Sequence, residues 1–158
     1  MATMGMATAP SPVNQPAQDA QRLAAEHKLV GAAKWFYWIA GLSVINAGLI
    51  LSGSNWHFLL GMGIIDAVAA VGGQTGRGGT VAAIFITAFI TGICALFGSL
   101  ALKKHAWVFW LGMALYALDG FLVFTAGDFL AVAFHAFVLF CLFQGLVALK
   151  QLKAMGAA

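Results

Sequence analysis

The chain is almost continuously apolar from Trp35 to Leu149, and its few charges lie mostly at the breaks between apolar runs. Charged residues make up 8% of the sequence and hydrophobic residues 62%, whereas a soluble domain carries roughly 25% charged residues. Such a chain cannot cover a core with polar surface. The sequence therefore predicts an all-α integral membrane protein, a bundle of four to five transmembrane helices with two helical hairpins flanking a central helix.

Four regions follow from the distribution of polar residues. Residues 1–16 carry no charge and are rich in Ala, Pro, Ser and Gln, so we expect a disordered N-terminal arm. Residues 17–34 predict a short helix that lies at the membrane interface or runs into the first membrane helix. Residues 35–153 form the predicted transmembrane bundle, and residues 154–158 a flexible C-terminus.

The region from 35 to 149 divides into five apolar runs, Trp35–Leu51, Trp56–Val71, Val81–Leu102, Ala106–Ala126 and Phe129–Leu149. The second run is doubtful as a crossing, because spanning needs about 20 residues with a lower limit near 17. It also carries Gly61, Gly63 and, near its middle, Asp66. The glycine-rich stretch 72–79 that follows predicts a flexible connector.

Positive charge distinguishes four crossings from five. If all five runs cross, four basic residues fall on each side of the membrane. If the second run dips in and returns to its own side, only Arg77 falls outside. The other seven then fall inside, as the positive-inside rule expects: Arg22, Lys28, Lys34, Lys103, Lys104, Lys150 and Lys153. We favour four crossings plus a short second helix, with five crossings as the alternative.

The sequence also contains an apparent internal repeat with an offset of 73 residues. Phe36 and Asn46 in the first copy align with Phe109 and Asp119 in the second. The two copies point the same way with four crossings and are inverted with five. Either arrangement places two helical hairpins around the run Val81–Leu102, whose small residues favour close helix contacts. We therefore expect that run to be the central packing helix.

Ionisable residues within bilayer depth are the main functional candidates, because burying charge there costs roughly 2.5–3.5 kcal/mol on insertion scales. Asp119 lies eight residues before Gly127 and His135 eight after it. We predict a tight turn at residues 126–128 that joins the fourth and fifth apolar runs. In antiparallel helices both side chains then lie about 12 Å from that turn. We predict that they contact each other inside the bundle. Such a pair can be a proton, ion or ligand site, or a hydrogen bond that only joins two helices.

Two further polar residues accompany this pair. Asp66 is expected at a depth near Leu42 and Ser43, and Asn46 is the repeat counterpart of Asp119. If the hairpins pack side by side, these two residues could line one polar pocket with Asp119 and His135. Alternatively, Asp66 is solvated from the surface.

Three stretches carry a family resemblance: Phe36–Asn46, Leu115–Asp119 and Phe134–Phe137. They resemble small uncharacterised multi-pass membrane proteins of bacteria. The resemblance implies an inner-membrane location and no particular activity. No motif for a cofactor, a metal or a catalytic residue is found, and neither haem nor intramembrane proteolysis is supported by the spacing of the polar residues.

Three functions remain open from the sequence. The first is a structural or accessory membrane component, as a homo-oligomer or as a subunit of a larger membrane complex. The second is a small transporter or proton-coupled channel that uses Asp119, His135 and Asp66. The third is an intramembrane enzyme. The expected partner in each case is the lipid bilayer, and the basic isoelectric point does not indicate nucleic acid, because the basic residues flank apolar runs.

Overall fold

The computed structural model describes residues 15–53 and 61–156, and within them the chain is helical with no β-strand. The predicted disordered arm therefore lies outside the described residues, apart from its last two positions. The helices are α1 (Gln15–Leu51), α2 (Gly63–Gln74), α3 (Gly76–Leu102), α4 (Ala106–Thr125) and α5 (Phe129–Ala154). The all-α fold class is confirmed.

Four of the described helices are long and apolar enough to cross a membrane, namely α1, α3, α4 and α5. The fifth, α2, has 12 residues, which gives it a length of about 18 Å. A bilayer core is about 30 Å thick, so α2 is too short to cross one. The second apolar run is thus the short helix expected in the four-crossing arrangement.

The four long helices form a ring in which each packs against two others, in the order α1, α3, α4, α5 and back to α1. Neighbours in the ring are antiparallel. A Cβ on Gly145 of α5 would press on both Ala32 of α1 and Phe109 of α4, whereas His135, ten residues earlier in α5, faces Gly120 of α4. Helices α1 and α4 therefore run in the same direction on opposite sides of the ring, and α2 packs against α1, α3 and α4.

Helix α1 is continuous over 37 residues, about 55 Å, so residues 17–34 belong to the same helix as the first apolar run. Its first half is long enough to extend past a bilayer core. Ala25 and Leu29 are buried there, and Leu149 and Leu152 of α5 are buried in the same apolar core. The two helices thus pack together along their extensions.

Helix α3 differs from the expected central packing helix. It contacts α1, α2 and α4, so it does touch both hairpins, but it does not adjoin α5. Its most apolar stretch is no more buried than those of the other long helices. The reason is that α2 is too short to complete a layer around α3, which leaves α3 as one side of the ring.

The prediction of a flexible connector over residues 72–79 is wrong. Helices α2 and α3 extend into this stretch, and only Thr75 separates the two helices. Its glycines permit close packing instead. A Cβ on Gly72 would meet Ala83 and the carbonyl oxygen of Gly79. Gly76 has a φ of +76°, a left-handed conformation that glycine adopts without strain, and this lets α3 fold back against α2.

The turn between α4 and α5 matches its prediction. Gly127 has a φ of +81°, and Asp128 caps α5 by accepting a hydrogen bond from the backbone N–H of Ala131 at 3.0 Å. This tight reversal sets the register between α4 and α5.

Candidate functional site

Helix α2 begins inside the bundle, at the depth of Ser43 on α1. The Met62 N–H donates a hydrogen bond to the Ser43 hydroxyl at 2.9 Å. At the other end of α2, a Cβ on Gly73 would lie 4.0 Å from the Leu51 side chain. The helix therefore runs from mid-bundle back to the end at which α1 finishes. A helix that starts inside a bundle needs partners there for its first N–H groups.

The Asp119 carboxylate of α4 supplies those partners. Its Oδ2 accepts a hydrogen bond from the Gly63 N–H at 2.9 Å, and its Oδ1 accepts one from the Ile64 N–H at 2.9 Å. A carboxylate at this position also lies at the positive end of the helix dipole. Asp119 thus acts as an N-cap for α2, although it is more than fifty residues away in sequence.

The predicted contact between Asp119 and His135 is confirmed. The Nε2 atom of His135 lies 2.8 Å from Oδ2 of Asp119, and the two residues are only 2–3% exposed. Gly120 makes the approach possible, since a Cβ there would lie 3.1 Å from the Cβ of His135 and 3.2 Å from its Cδ2.

The second ring nitrogen determines where the protons of the pair lie. The Nδ1 atom of His135 is 2.8 Å from the carbonyl oxygen of Ala131. A carbonyl oxygen only accepts hydrogen bonds, so Nδ1 must carry a hydrogen. A single further proton then lies between Nε2 and Oδ2, as an imidazolium–carboxylate pair or as a neutral imidazole accepting from a carboxylic acid. In both forms the pair has no net charge, which lowers the cost of burying it.

Tyr116 covers one face of the imidazole. The two rings stack with centroids 4.4 Å apart and an interplanar angle of 15°. Tyr116 precedes Asp119 by three residues on α4, so both side chains project from the same helix face. The Tyr116 hydroxyl is buried and has no hydrogen-bond partner among the described residues.

The other two candidates form a second pair, between α1 and α2. Nδ2 of Asn46 lies 3.4 Å from Oδ2 of Asp66. Asn46 is fully buried, and Asp66 lies in the first turn of α2. Asp66 thus faces Asn46, about one turn further along α1 than the predicted level of Leu42 and Ser43. All four candidates meet at the start of α2, as two pairs on either side of it.

The sequence did not single out Ser43 or Tyr116 as site residues, and it gave no sign of the cap on α2. Tyr116 has a local signal, its three-residue spacing from Asp119 on an apolar helix. The cap has none, because the depth at which α2 begins depends on the path of the chain between α1 and α2.

The apparent repeat has a counterpart in the structure. Phe36 and Phe109 pack with ring centroids 6.1 Å apart. Asn46 on α1 and Asp119 on α4 each bind α2. Asn46 contacts the side chain of Asp66, whereas Asp119 contacts backbone N–H groups of α2. Helices α1 and α4 run in the same direction, which is the relation expected for four crossings.

An apolar cavity of about 340 Å³ lies beside this site, between α3 and α4. Its floor is made by three buried residues, Phe36 and Ile39 of α1 and Met62 just before α2. Its rim is made by exposed leucines of α4, Leu115, Leu118 and Leu122. Asp119 and Tyr116 border it. The cavity therefore opens sideways, through the most loosely packed pair of neighbours in the ring.

Comparison with protein-family models, with curated proteins and with solved structures found no match. In residues 15–53 and 61–156, no three His, Cys, Asp or Glu side chains come together as a metal site would require.

Proposed function

We propose that the chain is a multi-pass protein of the inner (plasma) membrane with a structural or accessory role, and that Asp119 and His135 stabilise its fold. The observation that carries this proposal is the bonding of Asp119. Both carboxylate oxygens accept hydrogen bonds from the start of α2, and one of them also faces His135. A carboxylate held in this way connects three helices, which is a structural role.

The charge distribution supports a four-crossing arrangement with both termini in the cytoplasm. Residues 22–34 of α1, the turn between α3 and α4, and the last turns of α5 lie at the same end of the ring and carry seven of the eight basic residues. Arg77, in the first turn of α3, lies at the opposite end. This asymmetry is the one that orients membrane proteins.

The outer surface supports the bilayer as the main partner. The outward faces of α3 and α5 expose large aromatic side chains, among them Phe85, Phe89 and Phe129, each 71% exposed. A soluble protein rarely exposes so many large apolar side chains together. Part of the same surface is available to a second copy or to a larger complex, which would be the setting of an accessory role.

A second candidate function, proton-coupled transport, is favoured by one observation. The Asp119–His135 pair shares a proton next to a helix that begins inside the bundle, and such pairs mark proton paths in many membrane proteins. The accessory role is preferred because the adjoining cavity is lined by apolar side chains and opens sideways instead of toward an end of the ring.

Purified protein in phospholipid vesicles that contain a pH-sensitive dye distinguishes the two functions. The accessory role predicts that vesicles with the wild-type protein and vesicles with Asp119→Asn acidify inside at the same rate as empty vesicles. It also predicts that Asp119→Asn unfolds at a lower temperature than the wild type. Proton uptake by wild type that Asp119→Asn abolishes would contradict the accessory role. Release of the protein by alkaline carbonate would contradict the membrane location itself.

A further inference from the structure

We infer that the cavity between α3 and α4 is a binding site for one hydrocarbon chain of a bilayer lipid, which enters from the side. This inference rests on the proposed membrane location of the protein. It adds a ligand and a site that the structural role of Asp119 and His135 does not include.

The shape of the cavity suits a single chain. It extends along α4 from Gly112 to Leu122, ten residues or about 15 Å. Its volume of about 340 Å³ is within the range of small-molecule sites. Gly112 keeps the deep end narrow, because a Cβ there would meet the ring of Phe36.

The walls select an apolar ligand. Isoleucines of α3, leucines of α4 and the floor residues Phe36, Ile39 and Met62 supply most of the lining. Of the polar side chains that border the cavity, Asp119 directs its oxygens to His135 and to α2, and Cys94 has its Sγ atom 3.7 Å from the sulfur of Met62. Tyr116 adds one buried hydroxyl, which has no hydrogen-bond partner among the described residues. A single hydroxyl cannot replace the hydration of a charged or strongly polar ligand, so the site favours an apolar one.

The opening identifies the source of the chain. Ile64, Leu115, Leu118 and Leu122 form the rim and are 36–60% exposed. They are continuous with the exposed apolar faces of α3 and α4 that would contact acyl chains in a bilayer. An empty cavity of this size would forfeit dispersion contacts along its whole lining, and the nearest material that can fill it is a lipid tail.

Photo-crosslinking tests the site in phosphatidylcholine vesicles that contain a trace of phospholipid with a diazirine on one acyl chain. Labelled peptides are mapped by mass spectrometry, with Phe89 on the exposed face of α3 as an internal reference. We expect labels on Ile93, Cys94 and Tyr116 of the cavity as well as on Phe89. Labels confined to exposed residues such as Phe89 and Leu96 would overturn the inference.

Two tryptophan variants of α3 provide the matched comparison. Ile93→Trp places a large ring in the cavity, whereas Leu96→Trp adds the same ring at a position that is 53% exposed and does not line it. Ile93→Trp should reduce labelling of Tyr116 roughly tenfold relative to Phe89, as a loss of about 1.4 kcal/mol in binding would produce. Leu96→Trp should leave that ratio unchanged. Equal ratios in the two variants would contradict the site.

A third variant guards against misfolding of Ile93→Trp. Ile93→Ala enlarges the cavity, so labelling of Tyr116 should persist or increase, and its loss would count against the site. Carbonate extraction distinguishes failure of the proposed membrane location from failure of the lipid site. A protein that is released contradicts the proposed function, while a protein that is retained but unlabelled in the cavity contradicts only the lipid site.

Discussion

Asp119 joins α4 to α2 and α5 through three hydrogen bonds. Its oxygens accept two from the Gly63 and Ile64 N–H groups at the start of α2, and the third, shared with the ring nitrogen of His135, is buried. Removing one partner of a buried hydrogen bond leaves the other with its full desolvation penalty. The stability of the site should therefore depend on Asp119 more than on any other polar side chain described.

Substitution of Asp119 should destabilise the protein in a graded way. Asp119→Asn retains one acceptor oxygen and introduces donors that face the Gly63 N–H, so it should cost about 1–2 kcal/mol, the range of a lost cap. Asp119→Leu removes all acceptors and should cost about 3–5 kcal/mol, as when one partner of a buried pair is removed. Chemical unfolding in detergent, followed by circular dichroism, measures both values.

Two controls accompany this series. Asp128→Asn makes the same change at the cap of α5, where Asn caps nearly as well as Asp, so its effect should stay within about 0.5 kcal/mol. Adding His135→Leu to Asp119→Leu removes the orphaned imidazole. The double variant should be less destabilised than the sum of the two single variants by about 0.5–3 kcal/mol. Strictly additive effects would contradict a direct coupling.

The hydroxyl of Tyr116 should contribute nothing to stability. It is buried without a hydrogen-bond partner among the described residues, so Tyr116→Phe keeps the ring on His135 and removes a desolvated polar group. We expect a change between zero and a gain of about 1 kcal/mol in unfolding free energy. Tyr116→Leu, which removes the stacked ring, should be destabilising. A loss above 1 kcal/mol in Tyr116→Phe would show that the hydroxyl is bonded.

Among contacts between individual residues, the sequence predicts those that local geometry determines. The Asp119–His135 contact follows from equal spacing about Gly127, because helix rise converts sequence distance into depth. The cap on α2 does not follow from it, since no spacing relates Gly63 to Asp119. For the same reason, the predicted level of Asp66 along α1 was only approximate, near Leu42 and Ser43 instead of at Asn46. Its depth depends on the chain between Leu51 and Gly61.

Among the elements, helices α1 and α5 pack closely at Gly145. Gly145 lies against Ala32, whose Cβ is attached directly to the backbone and cannot turn away. Small residues of this kind let helix backbones approach each other. The seam continues into the extensions of both helices through Leu29 and Leu149.

Two glycine-to-alanine variants test this seam. Gly145→Ala should destabilise the protein by about 1–3 kcal/mol, because the added methyl group overpacks a rigid contact. Gly92→Ala on α3 is the matched control, since a Cβ there meets nothing within 4 Å. It should be neutral or gain roughly 0.5–1 kcal/mol from helix propensity. Equal effects on the unfolding free energy would contradict close packing at Gly145.

Apolar periodicity and length locate the long helices in the sequence but not their ends. The stretch 72–79 shows why, because glycine indicates flexibility in isolation and close packing when two helices meet. Only the partner across the contact, here Ala83 against Gly72, distinguishes the two. Likewise, the ring position of α3 depends on how little of it α2 covers, which composition does not record.

For the whole molecule, the number of helices long and apolar enough to cross a membrane could be predicted from charge and length together. Neither alone was sufficient, since the second apolar run is close to the spanning limit. The structure adds that α2 starts at the depth of Ser43 and ends near Leu51, so it enters and leaves at one end of the ring. That path places Gln74 and Lys153 at opposite ends of the bundle.

Cysteine accessibility at these two positions tests the arrangement most directly. Cys94 and Cys141 are first replaced by alanine, and single cysteines are introduced as Gln74→Cys and Lys153→Cys. Four crossings with cytoplasmic termini predict that a membrane-impermeant maleimide labels the Gln74→Cys protein in intact cells with an exposed outer face. The same reagent should label the Lys153→Cys protein only after permeabilisation. With a cytoplasmic N-terminus, five crossings predict the reverse for both positions, and that result would contradict the four-crossing bundle with both termini in the cytoplasm.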